Sequence, residues 1–135
     1  MNPILRNILA VIAGAIIGSI VNMALVNAGP MLIQPPEGVD ITSFEGLKAS
    51  MHLFQPKHFL FPWLAHAMGT LVGAFLAAKI AGSHQRTLAL VVGVLFLIGG
   101  ILNVVMLPSP LWFTLVDVLL AYLPMAWLGA KLAKH

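Results

Sequence analysis

Four polar side chains interrupt otherwise apolar stretches of the sequence, and they are the residues best placed to do chemistry. They are Asn22, His66, Asn103 and Asp117. A histidine takes up or releases a proton near neutral pH, and a carboxylate beside it can hold that proton or orient the ring. Ionisable side chains are costly inside a membrane, so they usually have a partner and a function. His66 and Asp117 are therefore the candidate centre of an intramembrane polar cluster, with both asparagines as members.

A structural role is the alternative for each of these residues. Buried imidazoles and amides commonly form hydrogen bonds between membrane helices, and this interpretation is favoured for His66, Asn22 and Asn103. For Asp117 both interpretations stay open. Tyr122 is predicted to lie on a different face of its helix from Asp117, as a packing or interfacial residue.

The surrounding chain is too apolar for a soluble domain. Of its 135 residues, 60% are hydrophobic and 8% are charged, whereas a soluble domain carries about a quarter charged residues. Its few basic residues form no stripe with interleaved aromatics, which argues against nucleic-acid binding. Because cysteine is absent, disulfides, thiolate metal sites and cysteine nucleophiles are excluded.

Four apolar stretches are long enough to cross the hydrocarbon core, which takes about 20 helical residues. The spans are predicted over about 5–28, 58–81, 86–107 and 110–133, with a loop over 29–57, in a single transmembrane domain covering 1–135. The predicted fold class is all-α, an integral membrane four-helix bundle. Pro124 should kink the fourth span because proline lacks the amide donor.

Basic residues predict the orientation of this bundle. Lys/Arg residues are enriched in short cytoplasmic segments of membrane proteins. Two lysines, Lys48 and Lys57, fall on the side of the long loop, and five basic residues fall on the side of both termini: Arg6, Lys79, Arg86, Lys131 and Lys134. Both termini are therefore predicted to be cytoplasmic, in a bacterial-type cytoplasmic membrane.

The long loop is predicted to contain a short amphipathic helix. Phe44, Leu47, Met51 and Phe54 recur at helical spacing, and the hydroxyl and carboxylate of Thr42-Ser43-Phe44-Glu45 fit a capping box. Such a helix is predicted to lie on the outer membrane surface. A lid packed on the end of the bundle and a ligand-gating role are the alternatives for it, and both stay open.

Two string matches predict a tandem duplication of a helical hairpin. IGSIVN over 17–22 matches IGGILN over 98–103, and AFLAAKIA over 74–81 matches AWLGAKLA over 126–133. The order of the matches is that of two copies related by an axis along the membrane normal. Small residues also predict close packing of spans one and two, through Gly14, Gly18, Gly69 and Gly73.

Enzyme motifs are absent from the sequence, which has no phosphate loop, nucleophile elbow or His-Glu zinc motif. His52, His58, His66 and Asp117 have the ligand types of a zinc site, but their spacing matches no known motif, so no metal and no cofactor are expected.

Three functions stay open. A non-enzymatic accessory or scaffold subunit of a membrane complex is favoured. The alternatives are a proton- or solute-handling transport protein, as a homo-oligomer, and an enzyme acting on a lipid or quinone. The expected partners are the bilayer and either another membrane protein or a second copy.

Overall fold

The computed structural model describes residues 1–134, and within them the ordered elements are helices. The α-helices are α1 (Pro3–Leu32), α2 (Phe44–Ser50), α3 (Leu60–Ile80), α4 (Gln85–Met106), α5 (Leu111–Leu120) and α6 (Leu123–Leu132). Short 3₁₀ helices follow α2 at Met51–Leu53 and precede α3 at Pro56–Phe59. We call the end of the bundle that carries residues 33–59 the loop end, and the opposite end, which carries both termini, the terminal end.

Four helical segments are long and apolar enough to cross a membrane: Pro3–Leu32, Pro56–Ile80, Gln85–Met106 and Leu111–Leu132. Only 17% of the most apolar window of α1 is buried, so most of its hydrophobic surface faces outward. An outward face of this kind suits lipid and not water. The predictions of an all-α chain with four spans and of a multi-pass membrane protein in contact with a bilayer are confirmed.

α3 lies at the centre of the bundle and packs on α1, α4, α5 and α6. Its closest neighbour is α1, and the two backbones touch through glycines. A Cβ atom added to Gly18 would lie 2.5 Å from the carbonyl oxygen of Gly69, and one added to Gly73 would lie 2.6 Å from that of Gly14. Any larger side chain would hold the two helices apart. Lipid gives no hydrophobic drive for helix association, so this close contact is what holds the helices together.

The helix packing gives no evidence of a duplicated hairpin. Two copies related by an axis along the membrane normal would pack the first span (α1) on the fourth (α5 and α6) as closely as the second (α3) packs on the third (α4). Instead, α3 packs extensively on α4, whereas α1 makes no comparable contact with α5 or α6 within residues 1–134. The helices that α1 does contact are α3 and, lightly, α4.

The fourth span is broken into two helices. α5 ends at Leu120 and α6 begins at Leu123, and Tyr122 between them has a non-helical backbone (φ −112°, ψ −82°). Pro124 stands in the first turn of α6, where its missing amide hydrogen costs nothing. The predicted kink at Pro124 is therefore found as a complete break, centred two residues earlier in the chain at Tyr122.

Polar contacts fix α1 against the connection between α3 and α4 at the terminal end. The side chain of Asn7 accepts a hydrogen bond from the Gly82 amide (2.8 Å) and donates one to the Ser83 hydroxyl (2.9 Å). The Arg6 side chain donates to the carbonyl oxygen of Ile80, one of the unpaired carbonyls at the end of α3. These contacts set the position of α1 along α3.

At the loop end, α2 begins one residue later than the predicted capping box required. The hydroxyl of Ser43, and not that of Thr42, accepts the amide hydrogen of Gly46 (3.0 Å) at the start of the helix. The hydroxyl of Thr42 instead donates to the carboxylate of Asp40. The short helix itself is present.

Candidate functional site

A hydrogen-bonded imidazole and carboxylate occupy the interior of the bundle. Nδ1 of His66 on α3 lies 2.7 Å from Oδ1 of Asp117 on α5. Asp117 is 2% exposed, so its carboxylate is withdrawn from lipid. Both residues lie about two helical turns from the loop end of their helices.

Tyr122 completes this group, which sequence reasoning did not foresee. Its hydroxyl donates a hydrogen bond to Oδ2 of Asp117 (3.2 Å), and its ring stacks on that of His66 with centroids 5.8 Å apart. The prediction that Tyr122 lies away from Asp117 assumed a continuous helix, and the break at residues 121–122 overturns it. Gly100 on α4 provides the space, because a Cβ atom there would overlap the Tyr122 hydroxyl. Pro124 was the sequence signal that the faces of Asp117 and Tyr122 could not be assigned as if they belonged to one continuous helix.

Main-chain carbonyls receive two further side-chain donors near this group. Trp63 donates its indole N–H to the carbonyl oxygen of Val116 (3.3 Å), which ties α3 to α5 immediately before Asp117. The hydroxyl of Thr70 donates to the carbonyl oxygen of His66 (2.7 Å). Both contacts use groups that would otherwise lack hydrogen-bond partners in an apolar interior.

The group of His66, Asp117 and Tyr122 faces a cavity of about 480 Å³. Asn22 and Asn103 line the same cavity, so all four predicted cluster residues contribute to one space. Among the described residues, the direct hydrogen bond between members of the predicted set is that of His66 with Asp117. Oδ1 of Asn22 is buried without a hydrogen-bond partner. The remaining wall is mainly apolar and includes Phe59, Phe96, Val104, Leu107 and Phe113.

Residues 44–54, which we call the cap, close the cavity at the loop end. Leu47, Met51 and Phe54 of the cap all line the cavity, and each is half-buried. Glu45, Lys48 and His52 on the other side of the cap are exposed. The position of these three residues on the cavity wall therefore supports the lid alternative for the amphipathic helix.

The cavity opens sideways, between α1 and α4. The lining residues that are also exposed are Val26 on α1 and Gly99 and Asn103 on α4. Nearer the bilayer centre the two helices meet, because a Cβ atom on Gly18 would lie 2.9 Å from the ring of Phe96. In a membrane-spanning bundle, an opening between two helices below the loop end faces lipid.

The histidines considered as metal ligands do not assemble around one point. Nδ1 of His58 accepts the amide hydrogen of Gln55 (2.8 Å), and its Nε2 lies 3.1 Å from the carbonyl oxygen of Gln34. His52 is exposed on the cap. Within residues 1–134, no three His, Asp or Glu side chains come close enough to share a metal ion.

Comparison of the chain with protein-family models, with curated proteins and with solved structures gave no match.

Proposed function

We propose that this protein binds a small amphiphilic molecule, taken from the bilayer into the cavity between α1 and α4. The observation that carries the proposal is a hydrogen-bonded group, His66–Asp117–Tyr122, facing an otherwise apolar space that opens toward lipid. Small-molecule sites have this composition: mostly apolar walls, a few convergent polar groups and a volume of about 300–1,000 Å³.

Some polar atoms in the cavity have no hydrogen-bond partner, and this favours a ligand-binding role over a role only in joining the helices. Nε2 of His66 makes no hydrogen bond within the described residues, and Oδ1 of Asn22 is buried without a partner. Leaving a buried polar group such as Oδ1 of Asn22 unpaired costs about 1–3 kcal/mol. Side chains that served only to join helices would not require this, and a polar group on a bound molecule would also give Nε2 of His66 a partner.

This proposal is closest to the transport and the lipid- or quinone-handling alternatives predicted from the sequence. A binding cavity is the first requirement of both. The accessory-subunit hypothesis stays a prediction, because the outward apolar surface of the helices suits lipid and a membrane-protein partner alike.

The orientation and the duplication are proposals of their own. We propose that the terminal end is cytoplasmic, on the excess of basic residues there. Since the chain has no cysteine, Ser83→Cys and Ala49→Cys each place one reactive thiol at a known end of the bundle. Position 83 lies at the terminal end and position 49 at the loop end. A membrane-impermeant maleimide added to whole cells should label the variant at position 49 and spare that at position 83, and the reverse pattern would contradict the orientation. The duplicated hairpin rests on the two sequence matches alone.

Blocking the cavity without disturbing the bundle tests the binding proposal. Gly99 lines the cavity, and a Cβ atom there meets nothing within 4 Å, so Gly99→Phe can fill the opening with little strain. Leu102→Phe, on an exposed part of the same helix outside the cavity lining, is the matched control. Protein purified in mild detergent should carry one tightly bound amphiphile by native mass spectrometry in the wild type and the control. Gly99→Phe should lose it. Retention in Gly99→Phe, or no bound molecule in any of the three, would contradict the proposal.

A further inference from the structure

We infer that the bound molecule is neutral and presents a hydrogen-bond acceptor, a carbonyl oxygen, to the Nε2–H group of His66. The ligand class is therefore an amphiphile with a ketone, quinone or ester group on an apolar chain. This inference rests on the proposed function, and it follows from which atoms of the polar group are already engaged.

Asp117 and Tyr122 have their hydrogen-bonding groups directed at each other or at His66. One oxygen of Asp117 lies against Nδ1 of His66, and the other accepts the hydroxyl hydrogen of Tyr122. Of the two ring nitrogens of His66, Nδ1 is therefore committed. Nε2 is the ring nitrogen that remains for a molecule in the cavity.

The charge balance of the cavity decides what Nε2 offers. Lys and Arg are absent from the residues that line the cavity, so no cation other than His66 is present to offset Asp117 there. An uncompensated carboxylate is expensive inside a bilayer. The His66–Asp117 pair is therefore neutral as a whole, which requires two protons on the pair.

Because Oδ2 of Asp117 accepts the hydroxyl hydrogen of Tyr122, it carries no proton, and the two remaining ways of placing the two protons leave a hydrogen on Nε2. In one form, the imidazolium donates from Nδ1 to the carboxylate and keeps its second hydrogen on Nε2. In the other form, the protonated carboxyl donates to Nδ1, and the neutral ring carries its single hydrogen on Nε2. Whichever atom holds the shared proton, the group facing the cavity is a donor.

A donor on a neutral pair selects the ligand class. A carbonyl oxygen accepts the Nε2–H hydrogen bond and adds no charge, while its chain packs on the phenylalanine walls. An anionic or cationic head group would lose its hydration in the cavity without meeting a net opposite charge, which costs far more than one hydrogen bond returns. An alkane would leave Nε2–H unpaired.

The test compares 2-undecanone with undecane, which share the chain and differ in the carbonyl group. Full-length protein labelled with ¹⁵N-histidine is placed in lipid nanodiscs, and the His66 signals are assigned by their loss in His66→Gln. If that variant does not fold, the other four histidines are replaced one at a time instead. We expect Nε2 of His66 to carry a directly bonded hydrogen before addition, and its resonance to shift on adding 2-undecanone but not undecane.

Aromatic signals from Phe96 and Phe113, which line the cavity, report occupancy independently of the hydrogen bond. If the ketone and the alkane both shift these signals while Nε2 is unmoved, the acceptor inference is wrong and the binding proposal stands. If Nε2 carries no hydrogen in the free protein, the acceptor inference is also wrong. If neither compound shifts any cavity signal, binding of carbonyl amphiphiles fails, and Gly99→Phe by native mass spectrometry decides separately whether the cavity binds anything.

Discussion

Nδ1 of His66 lies 2.7 Å from Oδ1 of Asp117, although 51 residues separate them along the chain and they belong to different membrane-spanning helices. This contact depends on the position of α5 along α3, which the indole of Trp63 also fixes through the Val116 carbonyl. The pair thus links the packing of the bundle to the chemistry of the cavity.

The His66–Asp117 contact should show as a coupling energy in a double-mutant cycle. Each single change, His66→Leu or Asp117→Leu, strands the partner's polar group in an apolar interior, whereas the double change removes both. We expect the double variant to be less destabilised than the sum of the singles by about 0.6 kcal/mol, the average for hydrogen bonds between membrane helices, and by no more than about 1.7 kcal/mol, the largest value found for them. Reversible unfolding in mixed micelles measures it. Additive single effects would mean that the two side chains do not interact.

Restoring the helix at the break should remove Tyr122 from the polar group. Pro124→Ala returns an amide donor that can bond the Leu120 carbonyl, which favours one continuous helix over 111–132. Tyr122 would then turn away from Asp117. We expect Tyr122→Phe to destabilise the wild type by about 1 kcal/mol through its lost hydrogen bond, and to have little further effect in the Pro124→Ala background. An equal effect in both backgrounds would contradict this account.

The position of Tyr122 beside Asp117 could not be predicted from the sequence. Hydropathy and length predict the four spans because the bilayer permits few alternatives, and the few polar residues within those spans predict one polar cluster. Which side chains meet in that cluster depends on helix rotation. A proline predicts only that the helical phase is interrupted nearby, not by how much the following residues turn.

The cavity and the packing of the cap on it were even harder to predict from the sequence. The spacing of Leu47, Met51 and Phe54 predicts an apolar face but does not say whether lipid or the bundle covers it. The sideways opening arises because α1 meets α4 at Gly18 and Phe96 but leaves Val26 and Gly99 exposed. Such a divergence depends on how the helices are oriented relative to one another, which the periodicity of the sequence does not contain.

Two glycines provide a matched test of the contact between α1 and α3. A methyl group on Gly73 would lie 2.6 Å from the Gly14 carbonyl oxygen, whereas one on Gly99 meets nothing within 4 Å. Gly73→Ala should therefore destabilise the protein by about 1–3 kcal/mol, as overpacking does. Gly99→Ala should be neutral, or stabilising by up to about 1 kcal/mol through helix propensity. Unfolding midpoints of the two variants, compared in the same micelles, check this. Equal midpoints would show that the α1–α3 backbone contact is not as close as described.

The connection before the cap should respond to acid. The hydroxyl of Thr42, followed by its amide, lowers the pKa of Asp40 below the ordinary value of 3.8. Because the folded pKa is the lower one, these hydrogen bonds stabilise the start of α2 above about pH 3.8 and are lost as the pH falls through the lowered pKa. The Thr42 amide resonance should titrate with a midpoint below 3.8, and Asp40→Asn should abolish the titration. A midpoint at or above 3.8 in the wild type would contradict the assignment.

Photolabelling from within the bilayer tests whether the cavity takes up an amphiphile from the lipid. A long-chain ketone carrying a diazirine is incorporated into nanodiscs with the full-length protein, irradiated, and the labelled residues are mapped by mass spectrometry. The account predicts label concentrated on residues at the opening and in the cavity, such as Val26, Gly99 and Asn103, with excess 2-undecanone reducing it. Label spread evenly over outward faces, such as the shallow groove of Ala15, Ser19 and Met23 on α1, without competition, would contradict it.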